Sequence, residues 1–206
     1  LELIDRALRL NQEHTYDKLR RISPEDVREV IDLFLKRADF QNLKVVLRGI
    51  YSRSSKEKVI SLLEPVGRFD RMHFERLFDT GSVWKSLISS KIVCERDIKS
   101  AYERYKNQGR LIDLENKLDQ IYFSQSIKGS CDLKRDGAVF KQFLLREIDI
   151  INIKNILRFK REGLTPEKIM RHMIIQGLKI NKKTLDELAS KDSIESVYSG
   201  LKNTFY

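Results

Sequence analysis

The chain has 206 residues and a formal charge of +10, from 40 Lys and Arg against 30 Asp and Glu. Hydrophobic residues make up 41%, enough for a packed core and too many for a disordered chain. With only 9 Gly and 3 Pro, turn-makers reach about half their usual share, which excludes a many-stranded β fold and leaves room for long helices. Cys94 and Cys131 cannot build a disulfide framework, and no apolar run approaches the roughly 18 residues of a membrane span.

The pattern opens inside a helix. Leu1 to Asp5 lacks a starting Met and a signal-peptide core, so the chain reads as a fragment. Ile4, Leu8, Thr15, Leu19 and Ile22 fall near one face of the first predicted helix. Ser23-Pro24-Glu25-Asp26 reads as the next start, with Ser23 as N-cap and Pro24 at the first helical position. Val27, Val30, Ile31, Phe34 and Leu35 form its stripe. Asp39 interrupts, and Phe40, Leu43, Val46, Leu47 and Ile50 form the next one. Ser54 to Glu57 is a capping box for a helix through Leu63 that closes near Pro65 and Gly67. Helices are then predicted around Phe74 to Phe78, from Val83 to Ile92, from Arg96 to Gln108 and from Leu111 to Ser124. Lys128 to Gly137 is the clearest loop. The expected organisation is 1–22 as the tail of an upstream module, 23–127 and 138–206 as two helical modules, and 128–137 as the connection.

An internal repeat is the most informative feature. At a constant offset of 110, Leu33 to Arg48 matches Phe143 to Arg158 at six of 16 positions: Leu35/Leu145, Asp39/Asp149, Asn42/Asn152, Lys44/Lys154, Leu47/Leu157 and Arg48/Arg158. The register runs on through Ser55/Thr165, Val59/Ile169 and Gly67/Gly177, then slips by one to align Phe74 with Leu185 and Leu77 with Leu188. Ile4 to Tyr16 also matches Ile194 to Phe205 with a one-residue gap, which would make the first helix the end of a further copy.

The signature residues are therefore Asp39, Asn42, Lys44 and Arg48, repeated as Asp149, Asn152, Lys154 and Arg158. The structural reading makes each Asp the N-cap of a restarting helix, with the Asn in its first turn. Lys44 and Arg48, four apart on the stripe's edge, would pack their stems and find a carboxylate or carbonyl in their own module. The functional reading is a docking surface for another subunit. The structural reading is preferred because both copies keep the pattern.

Leu35 to Gly49 and Glu147 to Arg158 resemble the C subunit of the archaeal-type (A-type) and V-type ATP synthases, a relative of the d subunit of the eukaryotic V-type enzyme. Leu114 to Phe123 is similar to the helix preceding the second motif in that family. The resemblance implies an all-α fold of tandem repeated helical-bundle modules, forming part of a funnel-like three-module socket. It also implies that an N-terminal part before Leu1 and a third motif after Tyr206 are absent. On function it implies a non-catalytic central-stalk subunit, peripheral on the cytoplasmic face of the cell membrane. Its partners would be the central rotor shaft subunits and the membrane ring of ion-carrying subunits, in proton- or sodium-driven ATP synthesis or ATP-driven ion transport.

No catalytic, cofactor or metal pattern competes. There is no P-loop, and no Gly is followed directly by Lys. His14, His73 and His172 are isolated, and Cys94 and Cys131 read as ordinary thiols. Asp132 to Phe143 fails as a calcium loop, with Lys134 and Phe143 where oxygen ligands are needed. Lys and Arg are spread along most helices without interleaved aromatics, so a solvated charged face is expected rather than nucleic-acid binding. No small-molecule substrate is expected. The rival is a basic helical-repeat nucleic-acid-binding or scaffold protein, which would account for the charge and the repeat without an ATPase.

Overall fold

A computed structural model describes residues 2–64, 66–133 and 137–202. Two compact units divide the chain, residues 1–137 and 138–206. The described residues hold eleven helices and no strand, as the low Gly and Pro content predicts.

The first unit contains α1 (Glu2–Ile22), α2 (Glu25–Tyr51), α3 (Lys56–Ser61), α4 (Arg71–Asp79), α5 (Val83–Ser89), α6 (Glu95–Gln108) and α7 (Ile112–Asp132). Helix α2 is its spine, touched by α1, α3, α4, α5 and α7. Phe40, Leu43 and Leu47 on α2 meet Phe74, Leu87, Leu114 and Leu118 in a fully buried core, each large side chain contributing about 1.5–3 kcal/mol. The second unit contains α8 (from Gly137 to Arg161), α9 (Pro166–Met170), α10 (Lys182–Ser190) and α11 (Ile194–Leu201). Its core is built from Leu144, Ile148, Ile156, Phe159, Ile169 and Leu185.

The repeat extends to the element bounds. Helices α4 and α10 have the same length and ends, shifted by 111 residues, and α5 and α11 start at the same shift. Their caps are equivalent too. Asp70 accepts from the His73 N–H and Asn181 from the Thr184 N–H, while Ser82 and Ser193 accept from the N–H three residues on. Both long helices end in the same Schellman turn. Ser54 N–H reaches Gly49 O at 3.0 Å, and Leu164 N–H reaches Phe159 O at 3.0 Å.

That turn needs a left-handed residue. Gly163 supplies it in one copy at φ 71°, whereas Arg53 occupies the other at φ 52°. A side chain in this region costs roughly 1–2 kcal/mol, part of which glycine's extra freedom in the unfolded chain offsets. Arg53→Gly is expected to stabilise the protein by about 0.5–1 kcal/mol, read as a higher urea midpoint. A lower midpoint would overturn this account of the turn.

Four expectations need correction. Helix α2 does not restart at Asp39 but runs unbroken through all 27 residues, because no Gly or Pro interrupts it there and Leu35 joins Phe40, Leu43, Val46 and Leu47 in one buried core, while Val27 and Phe34 stay exposed. Its N-cap is Pro24 rather than Ser23, with no side-chain cap, and Arg28 N–H bonds Pro24 O at 2.9 Å. The cap of α3 is Ser55, since Ser54 is spent in the preceding turn. The segment expected as a loop from Lys128 is helical through Asp132. Gly129 acts there as a close-packing residue, with Leu33 on α2 so near that a Cβ would sit 2.8 Å from it.

On α1, Ile4, Leu8, Leu19 and Ile22 are exposed. The helix is held by Arg20 Nε on Asp32 Oδ1 at 2.6 Å, Arg28 Nε on Arg20 O at 2.9 Å and the Tyr16–Phe34 ring contact. Pro65, Lys134 and the end of the Ile194–Phe205 match fall outside the described residues.

Candidate functional site: the repeated Asp-Asn clamp and its basic edge

The signature Asp and Asn side chains are buried in the middle of long helices. Asp39 and Asn42 on α2, and Asp149 and Asn152 on α8, are each at most 2% exposed. The N-cap reading of Asp39 and Asp149 is therefore wrong, since neither stands at a helix start. Burying a carboxylate is tolerable only with strong hydrogen-bond donors around it, and the donors come from far along the chain.

Asp39 accepts the Arg68 N–H at 3.0 Å and the Phe69 N–H at 3.2 Å. Asp149 accepts Leu178 N–H at 3.0 Å and Lys179 N–H at 2.8 Å on one oxygen, and Ile180 N–H at 3.3 Å on the other. Each Asn makes a paired amide contact with the backbone 22 residues on. Asn42 Nδ2 donates to Glu64 O at 2.9 Å and its Oδ1 accepts Glu64 N–H at 2.8 Å. Asn152 does the same with Ile174, at 2.8 Å and 3.0 Å. In both units one helix thus clamps the loop before the next hairpin, holding polar backbone that would otherwise be buried without partners.

Glycine makes the clamp fit. An ideal Cβ on Gly67 would lie 2.2 Å from Asp39 Oδ1, and one on Gly177 only 1.8 Å from Asp149 Oδ1. The carboxylates hold the space that a side chain would take. Burial pushes the Asp39 carboxyl above its ordinary value, opposed by the Arg68 and Phe69 N–H groups. A cleft of about 530 Å³ opens beside it, with Lys36, Arg68 and Lys91 on its walls. Burial also pushes the Lys36 ammonium down.

The basic residues differ between copies. Lys44 is buried and its Nζ pairs with Asp119 Oδ1 on α7. Arg48 forks onto Glu115, Nε to Oε1 at 2.5 Å and Nη2 to Oε2 at 3.0 Å. That hydrogen bond raises the Arg48 pKa. Both find carboxylates in their own unit, as the structural reading requires. Lys154 is exposed instead, and Arg158 is exposed as Arg48 is. Arg158 lies over the Phe159 ring at 4.7 Å and 4.0 Å from Glu162, the residue that follows its helix.

One histidine lies beside the first clamp, against the Phe69 that Asp39 holds. His73 stacks on Phe69 at 4.3 Å with Nε2 3.0 Å from Ser90 O. His172 packs on Phe159, His14 is exposed, and Cys94 and Cys131 are exposed.

The whole chain, residues 1–206, matches the family model of the ATP synthase (C/AC39) subunit. The chain belongs to this family. Its relatives include the A-type ATP synthase C subunit of Methanocaldococcus jannaschii, 26% identical over 205 residues, covering 98% of this chain and 51% of the relative. The same protein of Haloferax volcanii is 32% identical over 165 residues, 79% of this chain and 47% of the relative. That of Methanosarcina mazei is 29% identical over 189 residues, with 91% and 51% covered. The chain spans about half the length of the curated relatives it matches.

Within this C/AC39 chain, sequence reasoning found the clamp residues but not what they hold. Gly67 and Gly177 carried a usable signal, because they keep the repeat register where most surrounding loop residues do not. Glu115 and Asp119 carried one as well. Their i, i+4 spacing on α7 mirrors that of Lys44 and Arg48 on α2.

Proposed function

We propose that this chain is part of a non-catalytic central-stalk subunit of a rotary A/V-type ATP synthase. In this role it couples the central rotor shaft to the membrane ring of ion-carrying subunits, from the cytoplasmic face of the membrane. Family membership over the full length of the chain carries the reading. It also favours that reading over a basic nucleic-acid-binding or scaffold protein.

The geometry supports it physically. A coupler transmits torque through stiffness and wide docking surfaces. Stiffness in each unit comes from a long helix that ties its neighbouring loop down with buried Asp and Asn side chains. Among the described residues, no helix is long and apolar enough to cross a membrane, which suits a peripheral position on the ring. Exposed charge on both units would orient the protein against oppositely charged partner surfaces.

The test is affinity purification of the full natural protein from its own membranes. Shaft subunits and the ion-carrying ring are expected to co-purify with it. Recovery of an intact ATP synthase without it would overturn the proposal. A parallel titration with duplex DNA is expected to show weak binding that vanishes at moderate salt; tight binding with a steep salt slope would favour the rival reading.

A further inference from the structure

The cleft of about 530 Å³ beside the first clamp is large enough for a small organic molecule. Its walls come from α1, α2, the loop before α4, the segment after α5 and α7, all within the first unit. Arg20, Lys36, Arg68 and Lys91 line it together with Asp32 and Asp39. Arg20 pairs with Asp32 at 2.6 Å, and the Asp39 carboxylate is turned to the Arg68 and Phe69 N–H groups. Among the described residues no carboxylate forms an ion pair with Lys36, Arg68 or Lys91. Three cations therefore share the cleft with the one charge of Asp39, an excess of two.

Each of the three is held in place. The Arg68 backbone is tied to Asp39, and its guanidinium lies over the Phe69 ring at 5.6 Å. Lys91 takes the left-handed conformation at φ 55°, where glycine would be less strained. Lys36 is half-buried on α2; burial and the Arg68 guanidinium push its ammonium down, against the pull of Asp39. Like charges gathered in a partly dry cleft repel one another, and a bound anion relieves that repulsion. The charges also recur in the repeat. Lys36 returns as Arg146 at the shift of 110, and Arg68 and Lys91 as Lys179 and Lys202 at the shift of 111.

We propose that this cleft binds a small phosphate monoester, with the phosphate on Lys36, Arg68 and Lys91 and the carbon skeleton against Phe69 and Ile92. A phosphate monoester carries about −1.5 to −2 charges at neutral pH, which the excess of two matches; a carboxylate would leave one cation unanswered. The Gln125 amide on the α7 wall adds neutral hydrogen-bonding capacity for the ester's body. The assignment stands on the cleft's own residues and does not depend on the rotary role.

Calorimetric titration of phenyl phosphate into the protein is expected to show saturable binding, tighter than that of inorganic phosphate. Arg68→Gln and Lys91→Gln should each weaken it by about ten-fold or more. Lys99→Gln, on α6 away from the cleft, should leave it unchanged. Both cleft side chains are exposed, so thermal midpoints without ligand should stay put. Should either variant misfold, Lys91→Gly provides a second arm. It relieves the left-handed strain and is expected to raise the urea midpoint while weakening phenyl phosphate binding. Vesicles containing phosphatidate present the same group from a membrane. Retention on them that Arg68→Gln abolishes would support the site with a lipid headgroup as the source, and phenyl phosphate binding without retention would support it with a soluble ester. Absence of saturable binding would overturn the proposal, as would equal weakening by Lys99→Gln. Lower midpoints with unchanged binding in Arg68→Gln and Lys91→Gln would overturn it too, by reducing these cations to counter-charges of Asp39.

Discussion

Asp149→Ala is expected to lower the stability of the second unit by about 3–5 kcal/mol. An ordinary N-cap truncation costs about 0.5–2 kcal/mol, so the size of the loss separates a clamp from a cap. Asp149 is fully buried and its carboxylate receives the N–H groups of Leu178, Lys179 and Ile180. Leu178 N–H keeps a second acceptor in Leu145 O at 3.3 Å. Lys179 and Ile180 lose the carboxylate, and a hydrogen bond to a charged acceptor is worth roughly 1.5–3 kcal/mol. Asp149→Asn should cost less, because an amide oxygen still accepts. Amide exchange at Lys179 and Ile180 should accelerate well before global unfolding, since their protection comes from this side chain. A loss below about 1 kcal/mol with unchanged exchange would show that the clamp contributes little to holding the loop.

Asp119→Ala is expected to cost about 3 kcal/mol in the first unit, although Asp119 itself is a quarter exposed. The damage falls on Lys44, whose side chain is 6% exposed and would keep a buried charge without its counter-ion. The double replacement Lys44→Met/Asp119→Leu removes both charges and should recover most of the loss, as buried ion pairs often yield to apolar residues of similar volume. Lys154→Ala at the equivalent position should change stability by less than about 0.5 kcal/mol. The chain's single tryptophan, Trp84, lies in the first unit against Tyr102 at 4.4 Å, so its fluorescence in urea reads the Asp119 series directly. Equal effects at Lys44 and Lys154 would contradict the burial difference between the two copies.

The sequence carried the helical class, the duplication and its register, because identities at Asp39/Asp149, Asn42/Asn152 and Gly67/Gly177 survive where neighbouring residues drift. Some helix bounds followed within a few residues, as for Phe74 to Phe78 within Arg71–Asp79 and Val83 to Ile92 against Val83–Ser89. The errors share one cause. Aspartate in a helical stretch has a poor local propensity and a good capping side chain, so local rules put a break at Asp39 and Asp149. Glycine in a polar run has turn character, so the same rules put a loop at Gly129.

Only the folded chain brings Arg68 and Phe69 to Asp39, and Leu33 to Gly129, because these contacts join residues tens of positions apart through packing. The same holds for the basic edge. Lys44 and Lys154 are identical in the sequence, yet one is a buried ion pair and the other an exposed cation. Residue identity set which groups could pair, by charge and by spacing. In the first unit the packing of α7 along α2 decided that Lys44 and Arg48 meet Asp119 and Glu115.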